Sequence, residues 1–230
     1  VTLRDEEWAA LTLSLQVSVV AVLFTLPLAV LVAYLLARRE FPGKGLLSAL
    51  VHLPLVLPPV VTGYLLLLTF GRNGAVGRWL DEIFGLVLAF RWTGAALAAG
   101  IMGFPLMVRA IRLAIEAVDP RLNAAASTLG AGPWARFFLV TLPLIAPGIL
   151  AGCVLGFAKA MGEFGATITF VANIPGETQT LPSAIYAFLQ VPGAEDAAMR
   201  MVVLSLVVAV GAVLISEWLS RRVAERIGRS

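Results

Sequence analysis

Charge is missing from long stretches of this 230-residue chain: none of Asp, Glu, Lys or Arg occurs between Glu7 and Arg38, between Lys44 and Arg72, or between Arg136 and Lys159. Each gap exceeds the ~20 apolar residues that a helix needs to cross a bilayer. Two shorter gaps, Trp92–Val108 and Met201–Ser216, extend into helix-compatible flanks. Five spans are therefore expected, at about 9–37, 46–70, 93–117, 143–166 and 200–219. With only 13% charged residues, the composition excludes an ordinary soluble domain. The expected fold class is an all-α polytopic membrane protein with one domain over 1–230 and its core at about 8–220.

The first run is longer than a signal-peptide apolar region and ends in Arg38-Arg39 rather than small residues, so it is expected to remain in the mature protein. "FGLVLAF" (84–90) is too short to cross and is expected to lie at an interface. A lone Cys153 gives no disulfide framework, and a lone His52 offers no metal cluster.

Five spans place the termini on opposite sides, and the positive-inside rule chooses between the two orientations. With the N-terminus outside, Arg38, Arg39, Lys44, Arg109, Arg112, Arg121, Arg136, Arg221, Arg222, Arg226 and Arg229 lie inside; Arg4, Arg72, Arg78, Arg91 and Arg200 lie outside. Eleven against five favours N-out, C-in. The basic tail then reads as an orientation signal, and no nucleic-acid partner is expected.

The spans are punctuated by Pro27, Pro54, Pro58, Pro59 and Pro105. Each internal proline removes a backbone hydrogen bond, so the helices that carry them must pack on protein or line a cavity. Pro58-Pro59 is harder to read as a mere packing kink. Gly148, Gly152 and Gly156 form a small-residue stripe suited to close helix contact. Lys159 and Glu163, four residues apart, are expected to share a helical face, either as a structural ion pair or along a pathway. Residues 173–196 are too polar for a simple span; they are expected at the outer face or dipping back into the protein, with a short helix at 183–190.

Between the third and fourth spans lies a different pattern. Asp119-Pro120 makes a good helix start, "RLNAAASTL" continues it, and Gly130-Ala131-Gly132 breaks it. Pro133 then starts a second short helix through Val140, before Leu142-Pro143 opens the fourth span. With Trp134, Phe137 and Phe138 on the second helix, the expected shape is a protruding knob on the cytoplasmic side, over 118–142.

This stretch resembles the "EAA" loop of the inner-membrane permease subunits of binding-protein-dependent ABC importers. The family pattern is Glu-Ala-Ala, three residues, Gly, then about nine residues later an apolar residue and Leu-Pro. Ala124, Ala125, Ala126, Gly130, Ala131, Gly132, Leu142 and Pro143 carry the resemblance here. Ala124 stands where the family usually has glutamate, which weakens the case for a salt bridge to the ATPase from that position. Beyond the loop, "ARREFPGKGLL", "LPLVLPPVVTGYLLL", "FPLMVRAIRLAIEAVD", "GEFGATITFVANIPGETQTLPSAIY" and "SEWLSRR" look like the molybdate permeases of that family, over about residues 8–222. The resemblance implies the five-helix type I (MetI-like) permease fold in a bacterial inner membrane. It further implies a homodimer, two ATPase subunits that bind ATP and Mg, and a periplasmic oxyanion-binding protein.

The only Gly-Lys, in "PGKG" (42–45), lacks the upstream glycine and the hydroxyl of a P-loop, so this chain is expected to be no enzyme and to carry no cofactor. A tetrahedral dianion leaving water needs donors that release it again, which favours hydroxyls, backbone N–H groups and freed helix ends over fixed lysines. Pro58, Pro59, Thr62, Glu163, Thr167 and Thr169 are the candidates for the translocation path. The alternatives are a permease for sulfate, thiosulfate or another oxyanion and, more remotely, an ATPase-independent secondary transporter or channel, although no convincing repeat relates the two halves.

Overall fold

Thirty uncharged residues in a row fold as one helix. In the computed structural model, which describes residues 4–227, α1 runs Asp5–Arg38, about 50 Å at ~1.5 Å per residue. Asp5, Glu6 and Glu7 in its first turn and Arg38 in its last suit the helix dipole. α5 (Trp92–Ala117) packs along α1, and α8 (Leu142–Met161) packs along α5. The glycine stripe sits at that second contact: a Cβ at Gly103 would lie 3.1 Å from the Gly156 carbonyl oxygen. α11 (Glu195–Ile227) packs on α8 and on α10 (Leu181–Leu189). Arg229 lies outside the described residues, as do the side chains of Arg221 and Arg226.

The second expected span is not one helix. It is α2 (Lys44–Val56) and α3 (Pro59–Phe70), bent 114° from one another. Two adjacent prolines remove two donors, and each forces the residue before it out of the α region. Leu57 and Pro58 are accordingly extended, with ψ of 142° and 133°, and helix resumes when the amides of Val61 and Thr62 donate to the Pro58 carbonyl. Isolated Pro27, Pro54 and Pro105 stay inside their helices. Among the described residues four helices are thus long and apolar enough to span, and the bent pair, taken as one broken span, makes five.

α4 (Ala75–Phe84) links α3 towards α5 and was not expected. The 84–90 run is only partly interfacial. Phe84, Leu86 and Phe90 are exposed, whereas Ala89 is buried and Leu88 packs into the core.

The fourth span is also displaced. Helix is continuous over Pro133–Met161, through α7 (Pro133–Arg136), a π-helical turn at Phe137–Thr141 and α8, so no separate second loop helix exists. Pro143 cannot donate to the Leu139 carbonyl and its ring crowds it; widening the preceding turn, with the Leu142 amide on the Phe137 carbonyl, relieves that conflict without ending the helix. At the other end the span stops at Met161, and Gly165–Phe170 forms a separate short helix, α9. Glu163 therefore lies beyond the helix that carries Lys159.

Of the two expectations for 173–196, the dip into the protein is observed. Thr178, Gln179, Thr180, Leu181, Ser183 and Ala184 are buried, and the Leu181 amide donates to Ser14 Oγ of α1 at 2.6 Å.

Candidate functional site: the 118–142 loop and the facing helix breaks

Asp119 starts α6 (Pro120–Thr128) as the residues predict: its carboxylate accepts from the Arg121 amide at 2.8 Å and Pro120 occupies the first turn. The end of α6 depends on Gly130, whose φ is +84°. Its amide donates to the Ser127 carbonyl and the Ala131 amide to the Ala126 carbonyl, both at 3.0 Å, the paired bonds of a Schellman cap. The glycine serves the backbone angle alone, because a Cβ there would meet nothing within 4 Å. Gly132, with φ −65°, has no such requirement.

No residue of α6 is buried. Ala124 and Ala125 are exposed with Gly132 and Pro143, while Ala126, Ala131 and Leu142 are half-buried. Leu129 and Trp134, on either side of the Gly130–Gly132 turn, are 88% and 76% exposed, and Leu139, in the π-helical turn, is 76% exposed. Exposed apolar area of this kind marks a contact surface.

The loop is braced from below by residues outside the expected set. Arg38, at the end of α1, donates through one terminal nitrogen to the carbonyls of Ile115 and Val118, at 2.8 and 2.7 Å. These carbonyls close α5, where a helix presents unpaired acceptors and a negative dipole end. Tyr34 meets Phe137 edge-on at 5.5 Å, and Thr141 Oγ1 donates to Asn123 Oδ1 at 3.3 Å. Sequence alone showed Arg38 only as a boundary charge.

The path candidates come from segments about a hundred residues apart, and the structure brings them together. α3 packs on α9, so that the Pro58-Pro59 break faces the 162–164 break. A Cβ at Gly63 would lie 2.9 Å from both Ala166 Cα and Thr169 Cβ, and one at Gly165 would lie 2.7 Å from Pro59 Cβ. Thr62 and Thr167 are buried, and Thr62 Oγ1 has no partner. Thr169 Oγ1 donates to the Gly165 carbonyl at 2.8 Å, which ties its hydroxyl to its own helix.

Glu163 is buried and neutralised. One carboxylate oxygen accepts from Lys159 Nζ at 2.8 Å, and the other accepts from the Ala166 amide at 3.0 Å, starting α9. Because the obstacle at Gly63 is backbone as well as side chain, Gly63→Ala is expected to force α3 and α9 apart, at about 1–3 kcal/mol. Thermal unfolding in detergent measures this; an unchanged midpoint would mean that the contact is soft.

A second buried ion pair also lay outside the expected set. Glu7 of α1 is wholly buried and accepts from Arg200 of α11, at 2.6 Å from Nη2 and 3.1 Å from Nε.

Residues 17–228 match the family described as the binding-protein-dependent transport system inner membrane component. The chain is 59% identical over 227 residues, 99% of each chain, to the molybdenum transport system permease protein ModB of Escherichia coli K12, and 54% identical over 97% of each to that of Haemophilus influenzae. The sulfate transport system permease protein CysT of E. coli is 37% identical over 79% of this chain and 65% of its own. Among solved structures, a chain of a bacterial alginate ABC transporter superposes with a TM-score of 0.76 at 21% identity, covering 96% of this chain and 80% of that one. The MetNI methionine ABC transporter, in inward-facing conformations, gives 0.70 at 16%, covering 94% of each chain. With its four long spans, its broken fifth and this match along nearly its whole length, the chain belongs to the binding-protein-dependent transport system inner-membrane components, multi-pass permeases of the bacterial inner membrane.

Proposed function

We propose that this chain is the permease subunit of an ATP-driven importer that moves molybdate, with tungstate accepted, across the inner membrane. The observation that carries the substrate is 59% identity over the whole chain to a molybdenum permease, against 37% over part of it to a sulfate permease. The exposed Leu129, Trp134 and Leu139 on a rigidly capped loop support the docking of an ATPase at that loop. ATP hydrolysis, with its Mg, belongs in this reading to two separate ATPase chains. The exposed faces of α2 and α3, which carry Leu50, Leu53, Val60 and Tyr64, suit a second copy of the permease, since one copy with a broken span can hardly enclose a polar path. A periplasmic binding protein delivers the oxyanion.

Selection resides mainly in that binding protein, where a closed cavity has fixed donors and a defined volume. Around the facing breaks, the buried hydroxyls and the neutralised Lys159–Glu163 pair leave, among the described residues, no unpaired cation to trap a dianion. Reconstitution with the cognate binding protein and ATPase is expected to give ATP-dependent molybdate uptake that excess tungstate suppresses and equal sulfate does not. Sulfate uptake at a comparable rate would assign the chain to sulfate instead.

The N-out, C-in orientation is tested separately, in a Cys153→Ala background. A cysteine at exposed Asp81 is expected to react with an impermeant thiol reagent in intact cells, and one at exposed Ser127 only after lysis. The reverse pattern would place the 118–142 loop outside and remove its docking role.

A further inference from the structure

Beneath the loop, between the end of α1, the start of α6 and the start of the fourth span, lies a cavity of about 200 Å³. Arg38, Arg39 and Arg136 line it, with Tyr34, Asn123 and Thr141. No carboxylate is in the lining, and among the described residues none lies within ion-pair distance of the three arginines. The nearby acids are otherwise engaged: Glu40 pairs with Lys44 at 2.7 Å, and Asp119 accepts from the Arg121 amide. Arg38 is spent on the closing carbonyls of α5, but among the described residues the guanidinium groups of Arg39 and Arg136 have neither hydrogen-bond nor ion-pair partner.

Three cations that line one cavity repel one another; Arg38 and Arg136 are half-buried there, and Arg39 is exposed. Such a set is stabilised by an anion that accepts several charge-assisted bonds at once, and the planar fork of arginine suits the oxygens of a phosphate-like group. The Tyr34 hydroxyl and the Asn123 amide add neutral donors, while Pro120, Pro133 and Phe137 wall off part of the water. The cavity has room for a tetrahedral ion with some of its hydration, being many times the ~10–15 Å³ that one water needs.

We infer that this cavity binds a tetrahedral oxyanion between Arg39 and Arg136, and that the bound ion ties the end of α1 to the 118–142 loop. The site lies where the apolar span of α1 ends, at headgroup depth, so the oxyanion is either the phosphate of an anionic phospholipid or a free ion from the cytoplasm. Occupancy stiffens the support of the loop and so regulates whatever the loop engages. The binding itself uses nothing from the molybdate reading, so either can fail alone.

The test uses the full-length chain purified in detergent and stripped of lipid. Equilibrium dialysis against radiolabelled molybdate and against inorganic phosphate reads the free ion. Native mass spectrometry after release from phosphatidylglycerol or phosphatidylcholine nanodiscs reads the lipid. R39Q/R136Q removes both unpartnered forks and leaves Arg38 to cap α5. R39K/R136K keeps the charge that sets orientation, and R222Q/R226Q removes the same charge from the tail. Binding of one anion per chain is expected, weakened at least about ten-fold in R39Q/R136Q, partly kept in R39K/R136K and unchanged in R222Q/R226Q. Binding in dialysis identifies a free oxyanion, and retention of phosphatidylglycerol alone identifies a headgroup. Equal binding by wild type and R39Q/R136Q, or no binding of any of the three anions, overturns the inference. So does loss of ATPase co-purification in R39Q/R136Q without any anion bound, which would give the cavity to a partner's carboxylate.

Discussion

Arg200→Met is expected to destabilise the protein more than the loss of its partner does, because it strands the Glu7 carboxylate without its guanidinium. Glu7 has no exposed surface while Arg200 covers it, and once the guanidinium is gone its carboxylate keeps, among the described residues, only the Arg4 amide, at 3.0 Å. The opposite deletion is milder. Glu7→Gln leaves Arg200, whose side chain is 28% exposed and can turn to solvent, so the lost charged hydrogen bonds are partly replaced by water. The asymmetry itself is the prediction, because a surface ion pair would lose less than about 1 kcal/mol from either side. Combining Glu7→Gln with Arg200→Met should recover most of the larger loss, since no ion is then stranded. Unfolding titrated with denaturing detergent measures all three variants; equal losses from the two single changes would show that the pair is hydrated. The contact matters for architecture because it fixes the first span to the last, α11 packing otherwise on α8 and α10.

How much of this was legible beforehand divides along a physical line. Hydrophobic runs report on the bilayer, so the places of five spans could be read from charge-free gaps, and the small-residue stripe marked a face of close helix contact, whose partner, α5, only the structure supplies. Local caps were equally legible, as Asp119-Pro120 and Gly130 show, because their chemistry lies within a few residues. Span ends were not. A proline pair turned one expected span by 114°, whereas Pro143, read as the opening of the fourth span, only widened a helical turn; sequence does not distinguish a break from an accommodated kink, because neighbouring helices decide which carbonyls are satisfied. The meeting of Pro59 with Gly165 and of Gly63 with Ala166 could only be guessed from shared oddness. Ion pairs between distant residues left no trace at all. Lys159 and Glu163 are four apart and could be paired by inspection; Glu7 and Arg200 are separated by nearly the whole chain, and Arg200 read as a boundary charge. Arg38 read only as topology, although its hydrogen bonds show that it also closes α5 beneath the loop.

Gly130→Val is expected to abolish most uptake while leaving the protein inserted and ATP hydrolysis largely intact, on the docking role proposed for the loop. The substitution forces a β-branched residue into a φ of +84°, which costs roughly 1–2 kcal/mol even for an ordinary side chain. The cheapest relief is to leave the left-handed region, and that breaks the bonds from Gly130 to Ser127 and from Ala131 to Ala126 that end α6. α6 then points elsewhere and carries Leu129 and the alanines with it. Space is not the issue, because a Cβ at Gly130 meets nothing within 4 Å. Gly132 separates the two causes. It has the same open surroundings but an extended backbone, φ −65° and ψ 168°, that valine adopts readily before a proline. Gly132→Val should therefore keep uptake within about two-fold, where Gly130→Val falls at least about ten-fold, the factor corresponding to ~1.4 kcal/mol. Gly130→Asn should restore much of the loss, since asparagine tolerates the left-handed cap. Uptake, ATPase rate and membrane abundance measured together on the three variants decide the matter. Equal damage from Gly130→Val and Gly132→Val would mean that a partner surface excludes any side chain there, and full uptake in Gly130→Val would mean that the aim of α6 does not carry the coupling.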